Sequence, residues 1–219
     1  MVYNQLVPCG IVDENLLNAF LKIPRHRFIV SNWRKVAYTD AILPIWDTKI
    51  FVEDNRFVMP PLVLSKMLQS ANITTNSIVL DFYCNTGYSS VILSDIAKKV
   101  IAVDVDKKLL NIGVSEKLLL QAQNRVLFKL FQDFVIDHEK QSFDVIMVNG
   151  IINYIPSLFK CILIEGGRIV FIKKKDHVAQ VIKYIKHKNS LFIDDSYVVD
   201  ADERLLVKLE PFENLFKLG

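Results

Sequence analysis

The chain has 219 residues, a length that one folded domain accounts for. Apolar residues make up 51% of it and charged residues 23%, values typical of globular proteins, so disordered, collagen-like and low-complexity architectures are excluded. The 27 basic side chains nearly balance the 24 acidic ones, and the net charge of +3 creates no overall field that would indicate a polyanionic partner.

The first 70 residues predict a helical extension in front of the main sheet. Asp13 can cap a helix whose apolar residues recur at helical spacing, and Pro24 ends that helix. Residues 38–58 show no sustained period and are expected to be irregular. A second helix opens at Pro60 and Pro61, because proline is tolerated in a first helical turn.

Five short apolar runs alternate with amphipathic helices over residues 71–172. Apolar runs in this arrangement indicate parallel strands that are covered on both faces. Right-handed connections between such strands give an open, doubly wound α/β domain with a mostly parallel sheet. The predicted strands are residues 77–82, 100–104, 126–131, 143–148 and 168–172.

Residues 173–219 consist of a basic stretch followed by an acidic stretch. The apolar pattern of the basic stretch fits either a helix or a strand. Residues 173–188 carry six lysines and one aspartate, whereas residues 189–219 carry seven acidic and three basic side chains. We favour an antiparallel hairpin at the edge of the sheet, across which the two stretches neutralise each other. The alternative is a basic patch for RNA or DNA, but only Tyr184 among the lysines could stack on a base.

The cysteines, the histidines and the N-terminus favour a reducing compartment. Three cysteines and four histidines are scattered without a Cys-x-x-Cys spacing, which argues against a disulfide framework and a metal site. The N-terminus lacks the basic and apolar regions of a signal peptide, and no apolar run reaches the ~18 residues of a membrane helix. We therefore expect a cytoplasmic protein that binds neither a metal nor a membrane.

Three carboxylates follow three consecutive predicted strands, where an open α/β sheet binds its ligands. Asp104, after the second strand, can accept hydrogen bonds from both hydroxyls of a ribose. Asp133 can accept one from an adenine amino group, and Asp81 can sit beside a cationic amine or orient the loop. A single acid of this kind is as readily a helix cap, but three in register favour a nucleoside site.

Motifs on both sides of these acids extend the pattern over residues 12–172. The matching segments are residues 23–28 ("v-P-R-x-x-F"), 37–44 ("A-Y-x-D…l-P"), 79–88 ("V-L-[DE]-x-G-x-G-[ST]-G-Y"), Val103 with Asp104, Asp133, residues 143–146, Pro156 and residues 166–170. With these segments the chain resembles the protein-L-isoaspartate O-methyltransferase family, one branch of the class I S-adenosylmethionine-dependent methyltransferases. The first two segments distinguish this family from other class I methyltransferases.

The resemblance implies one Rossmann-like methyltransferase domain over residues 1–219, with a substrate-side extension (1–70), a cofactor-binding core (71–172) and C-terminal edge strands (173–219). It implies S-adenosyl-L-methionine as cofactor and methyl transfer to a carboxylate of damaged aspartyl residues in a protein or peptide. We expect a monomer or a weak dimer, and Arg25 or Arg27 could pair with a charge of the acceptor. The residues that the resemblance assigns to cofactor binding are Asp81, Tyr83, Asn85, Gly87, Tyr88, Asp104, Asp133 and Phe134.

The chain departs from the family pattern in the cofactor loop and at the acceptor. Tyr83 and Asn85 stand where glycine allows a positive φ, and the ring of Tyr83 could fill the methionine pocket. Phe134 replaces a glycine and could stack on adenine. Val58 stands in place of the family's acceptor-site serine, so the catalytic residue is unassigned.

Two other functions compete with the methyltransferase. The first is a catalytically impaired relative that acts as a protein-interaction module because Tyr83 closes the pocket. The second is a nucleic-acid methyltransferase or binder that uses lysines 173–175 and 183–188, but such a protein would not need the two upstream segments. A nicotinamide dehydrogenase is excluded, since residues 81–86 contain no glycine where that class needs Gly-x-Gly-x-x-Gly.

Overall fold

A seven-stranded sheet forms the centre of the computed structural model, which describes residues 1–45, 56–120, 125–136, 142–201, 203–207 and 209. Two further strands form a small ladder of their own. The ladder consists of β1 (Leu43–Pro44) and β2 (Phe57–Val58), and the sheet of β3 (Ile78–Phe82), β4 (Lys99–Asp104), β5 (Val126–Leu130), β6 (Phe143–Ile151), β7 (Leu163–Lys175), β8 (Val178–His187) and β9 (Ser190–Val199).

The sheet is doubly wound, which confirms the predicted fold class. Its order is β5-β4-β3-β6-β7-β8-β9, and neighbouring strands from β5 to β7 are parallel. The parallel strands end at one edge, so the residues that follow β3 and β4 meet there. The α-helices are α1 (Glu14–Lys22), α2 (Pro61–Ser70), α3 (Tyr88–Ile96), α4 (Lys107–Leu119), α5 (Phe131–Ile136) and α6 (Ser157–Ile162).

Alternate residues of the central strands enter two separate hydrophobic cores. Val79 and Val100 face the core under α1, α2 and α3, whereas Leu80 and Ile101 face an aromatic core with residues of α5 and α6. Because successive strand residues point to opposite faces, a strand buried on both sides is a continuous apolar run. This explains why these strands were recognisable in the sequence. Among the described residues, no helix combines the length and apolarity needed to cross a membrane.

The C-terminal strands form the predicted antiparallel hairpin. β7 pairs antiparallel with β8, and β8 with β9, through a turn in which Lys188 (φ 47°) and Asn189 (φ 60°) are both left-handed. Such a pair matches the tight hairpin turns that suit the natural twist of strands. The Nζ atom of Lys183 lies 2.7 Å from Asp194 Oδ2 across the hairpin, so part of the basic stretch is neutralised as expected.

The N-terminal extension packs over α3 and carries the β1–β2 ladder. Asp13 caps α1 as predicted, since its Oδ1 accepts a hydrogen bond from Leu16 N at 3.1 Å. The ladder pairs Leu43 with Val58 and lies within residues 38–58, which were expected to be irregular, so that prediction was wrong at these two points. It continues in a hydrogen bond from Ile45 N to the carbonyl of Arg56 at 2.9 Å. Residues 46–55 lie outside the described part of the chain.

Candidate functional site

Asp104 ends β4 at the carboxyl edge of the sheet, where the sequence predicts the ribose-binding acid. Its carboxylate is completely buried and accepts four hydrogen bonds. Two come from backbone amides, Asp106 N to Oδ1 at 3.0 Å and Asn85 N to Oδ2 at 2.9 Å. The other two come from one guanidinium, that of Arg56, whose Nη1 lies 3.2 Å from Oδ1 and whose Nη2 lies 2.6 Å from Oδ2.

Arg56 is held on three sides at this edge. Besides the two-pronged pair with Asp104, its Nε donates to Asn85 Oδ1 at 2.9 Å. Its guanidinium carbon lies 3.4 Å from the centre of the Tyr83 ring, a close cation–π stack. Burial lowers the pKa of Arg56, but the Asp104 carboxylate and Tyr83 raise it, so the net pKa lies above its ordinary value. The guanidinium therefore stays charged, as does an arginine in any ordinary protein site.

The loop after β3 keeps the left-handed backbone that glycine would favour, although two of its residues are not glycine. Tyr83 (φ 60°) and Asn85 (φ 55°) both adopt positive φ, as does Gly87 (φ 83°). For Tyr83 this conformation is strained, and it persists where surrounding contacts determine it. A side chain at Gly87 would stand 2.7 Å from the ring of Phe128, so only glycine suits that position. The loop thus has the backbone shape predicted for a cofactor loop.

Asp81 lies beneath this loop and is completely buried. It accepts hydrogen bonds from the hydroxyls of Ser89 (2.8 Å) and Ser90 (2.5 Å) at the start of α3, and from the amide of Asn149 in β6 (2.6 Å). Burial raises the pKa of its carboxyl from 3.8 to about 6, although these hydrogen bonds oppose the shift. Of its two expected roles, this geometry favours orienting the loop, because the carboxylate joins α3 to β6.

The remaining predicted residues, Tyr88, Asp133 and Phe134, differ in their burial and in their contacts. Tyr88 is buried as the first residue of α3, and the guanidinium of Arg25 lies 5.1 Å from its ring centre. Asp133 is exposed in the first turn of α5. Phe134 is completely buried in the aromatic core between Phe131 and Phe143, where its ring has no open face for adenine.

The arginines proposed to meet the acceptor are already paired. Arg25 is completely buried and donates to the carbonyls of Ala37 (2.8 Å) and Met59 (2.7 Å). Arg27 forms an ion pair with Glu116 of α4. Arg25 therefore positions the backbone next to Val58, and it does not face an acceptor directly.

The space at the predicted methionine end is very small. A cavity of about 20 Å³ lies beside the loop, which is roughly the room of one water molecule, whereas ligand pockets run to about 300–1,000 Å³. The residues present suit a nucleoside, because the Asp104 carboxylate can accept hydrogen bonds from ribose hydroxyls and lies beside the left-handed loop. The cavity is nevertheless too small for such a cofactor, and at the other end the Asp104 oxygens are already bound by Arg56. The cavity is lined by Val58, Met59, Leu64, Cys84, Asn85, Thr86, Tyr88, Ser89 and Asn149.

A larger groove opens on the other side of Pro60. It measures about 380 Å³ and brings the N-terminus of α2 beside the end of β9. Asp40 Oδ1 accepts a hydrogen bond from Leu62 N at 2.9 Å at this helix end. The groove holds charges of both signs, since its lining residues are Asp40, Ala41, Ile42, Pro60, Leu62, Val63, Lys66, Val198, Val199, Asp200 and Arg204.

Sequence reasoning missed Arg56, the residue that dominates this site. Arg56 lies in a stretch without periodicity and 48 residues before its partner, so no local pattern connects the two. One signal was available, because Arg56 stands two positions before Val58, next to the expected acceptor site. Ser89, Ser90 and Asn149 were also missed, since hydrogen bonds to a buried acid leave no spacing in the sequence.

Comparisons with known proteins agree with this architecture. The family model described as "Protein-L-isoaspartate(D-aspartate) O-methyltransferase" matches residues 2–201. A protein-L-isoaspartate O-methyltransferase of Opitutus terrae is 29% identical over 190 residues, which is 86% of this chain and 78% of the relative. The enzyme named protein-L-isoaspartate O-methyltransferase 1 of Syntrophobacter fumaroxidans is 26% identical over 186 residues, 85% of this chain and 83% of the relative.

Two solved structures share the fold over nearly the whole chain. One is a protein-L-isoaspartate O-methyltransferase, with a TM-score of 0.73 at 20% identity, covering 97% of this chain and 68% of the other. The second is a Plasmodium falciparum protein described as a putative protein-L-isoaspartate O-methyltransferase in complex with S-adenosyl-L-homocysteine. Its TM-score is 0.70 at 18% identity, covering 94% of this chain and 96% of the other.

Proposed function

Because the chain belongs to the protein-L-isoaspartate(D-aspartate) O-methyltransferase family, we infer that it is an S-adenosylmethionine-dependent O-methyltransferase that acts on damaged aspartyl residues of proteins or peptides. The observation that carries this inference is the match of the family model over residues 2–201. The carboxylate of Asp104 beside a left-handed loop supports it, because the methyl donor is a nucleoside.

Methyl transfer to a carboxylate requires mainly that the protein position the two reactants. When bound, S-adenosylmethionine supplies a methyl group on a sulfonium. An acceptor carboxylate is already an anion, so the chain would need no general base to activate it. The chain's task is to align the acceptor and to exclude water. Val58 and Met59 suit the second role, since both are apolar, buried and beside the small cavity.

Each end of the site has its own candidates. Asp104 would hold the ribose hydroxyls, and Asp81 would keep the loop in place through α3 and β6. The groove beyond Pro60 is the proposed place for the acceptor peptide, since it is the larger space beside Val58 and Met59 and its lining offers both cations, Lys66 and Arg204, and the carboxylates of Asp40 and Asp200. Such a mixed lining can pair with charges of both signs on a peptide segment. A cytoplasmic location and a monomer or weak dimer remain our proposals for the whole protein.

Methyl transfer from labelled S-adenosylmethionine tests this function directly. We expect a peptide with one isoaspartyl residue to become a methyl ester and the same peptide with normal aspartate to react far less. Asp104→Ala should lower kcat/KM by at least about 100-fold, because each of the two hydroxyl hydrogen bonds that Asp104 would accept contributes roughly 1.5–3 kcal/mol. Absence of methyl transfer from the wild type and from Arg56→Ala would favour the interaction module.

The nucleic-acid alternative has less support. Part of the basic stretch of the hairpin is engaged within the chain, since Lys183 pairs with Asp194 and Lys186 donates to the carbonyls of Lys160 (2.8 Å) and Leu163 (2.7 Å). Lys174 likewise lies 3.0 Å from Glu203. Lysines that are committed in this way contribute little to binding a phosphate backbone.

A further inference from the structure

We propose that Arg56 is an internal competitor of the cofactor, whose guanidinium occupies the nucleoside subsite and must leave before S-adenosylmethionine or S-adenosylhomocysteine binds. This proposal rests on the proposed function, because it takes Asp104 as the ribose-binding residue. It goes further in stating that the free protein holds its own site closed.

The hydrogen bonds of Asp104 show why the two cannot be bound together. Each carboxylate oxygen accepts one bond from a backbone amide and one from Arg56. The amides of Asn85 and Asp106 belong to the loops that shape the site, so their two bonds are part of the fold. The positions that remain for a ligand's hydroxyls are therefore the two that Arg56 takes.

The space above the carboxylate is filled by the same side chain. The guanidinium of Arg56 lies against the ring of Tyr83, and the two residues are only 6% and 5% exposed. Tyr83 stands where the family has a glycine. The flat cation thus lies between an aromatic face and a carboxylate, and it replaces both the stacking and the hydroxyl contacts that a nucleoside would make there.

Arg56 is placed so that its side chain can leave without unfolding the sheet. Its carbonyl is anchored by Ile45 N, and the strand after it pairs over only two residues with β1. Its contacts with Tyr83, Asn85 and Asp104 are all made by the guanidinium, at the end of a long side chain with several rotatable bonds. Rotation about these bonds would open the subsite while β2, β3 and β4 stay in place.

An internal competitor lowers the apparent affinity by the fraction of molecules that are open. Calorimetric titration with S-adenosylhomocysteine should therefore show tighter binding in Arg56→Ala than in the wild type, by about 10- to 100-fold if the open fraction is 1–10%. Arg56→Lys should lie between them, because an ammonium keeps the charge but loses the two-pronged pair and the flat stack. Arg125→Ala, which removes an exposed arginine, is the matched control and should bind as the wild type does.

The side-chain ¹⁵N–¹H signal of Arg56 gives a readout that does not depend on affinity. We expect a protected Nε–H signal in the free wild type, absent in Arg56→Lys, that loses its protection when S-adenosylhomocysteine is added. Equal or weaker binding in folded Arg56→Ala and Arg56→Lys, or an unchanged Nε–H signal in the complex, overturns the competitor. If neither the wild type nor the two folded variants binds S-adenosylhomocysteine, the competitor and the proposed function both fail. If the wild type and both Arg56 variants bind S-adenosylhomocysteine with the same affinity, the competitor fails and the proposed function stands.

Discussion

At the scale of single residues, the site is a group of buried charges whose neighbours determine their behaviour. Asp104 accepts hydrogen bonds from a guanidinium and from two backbone amides. Asp81 accepts hydrogen bonds from three neutral donors, and burial raises its pKa to about 6. Two acids at the ends of neighbouring strands thus have different electrostatic surroundings, because only one of them faces Arg56.

The raised pKa of Asp81 predicts a measurable pH dependence of stability. Because the folded pKa of about 6 lies above the ordinary 3.8, this carboxyl stabilises the fold at low pH and loses that contribution as the pH rises through 6. Relative to Asp81→Asn, the wild type should gain about 2 kcal/mol of unfolding free energy between pH 7 and pH 4.5. Urea unfolding at both pH values measures this difference.

Asp176→Asn is the matched control, since it removes one negative charge from an exposed, left-handed turn position that asparagine also tolerates. Its stability difference from the wild type should not show the dependence expected for Asp81→Asn. If the difference in unfolding free energy between the wild type and Asp81→Asn is the same at pH 7 and pH 4.5, the assignment of this titration to Asp81 is contradicted.

At the scale of elements, the sequence predicted helices and strands well where it shows a repeating apolar pattern or a capping residue at the end of an element. Asp13 and the apolar spacing after it predicted α1, and the continuous apolar runs predicted β3 and β4. The β1–β2 ladder was not predicted, because strands of two residues carry no period and the pairing joins positions 13 and 15 residues apart. That unpredicted ladder is the element that brings Arg56 to the site.

The cap of α1 predicts a stability effect that belongs to this element. Asp13→Ala should lower the free energy of unfolding by about 1 kcal/mol, because the amide of Leu16 loses its acceptor at the helix end. Asp13→Asn keeps an oxygen at the same place and should cost only a small part of this. Urea unfolding compares the three proteins, and equal losses in both variants would show that the cap is not the cause.

At the scale of the whole molecule, ligand binding and folding are linked through the closed site. A ligand that binds only the folded chain stabilises it by RT ln(1 + [L]/Kd). If Arg56→Ala tightens binding 10- to 100-fold, a fixed excess of S-adenosylhomocysteine should stabilise the variant by about 1.4–2.7 kcal/mol more than the wild type.

Thermal unfolding with and without the ligand measures this difference. For a domain of this size, the ligand should raise the Tm of Arg56→Ala by about 3–10 °C more than that of the wild type. Arg125→Ala should respond as the wild type does. A ligand-induced shift that is the same in all three proteins would contradict the linkage.

The sequence by itself determined the α/β order, the hairpin, the family and the position of Asp104, because each is written in local periodicity or in short motifs. Only the tertiary structure decided what Asp104 contacts. Arg56 meets it across 48 residues of chain, through a two-residue ladder and a left-handed loop that stacks Tyr83 on the guanidinium. Pairing between charges depends on which segments the fold brings within a few ångströms, and no spacing along the chain records that distance.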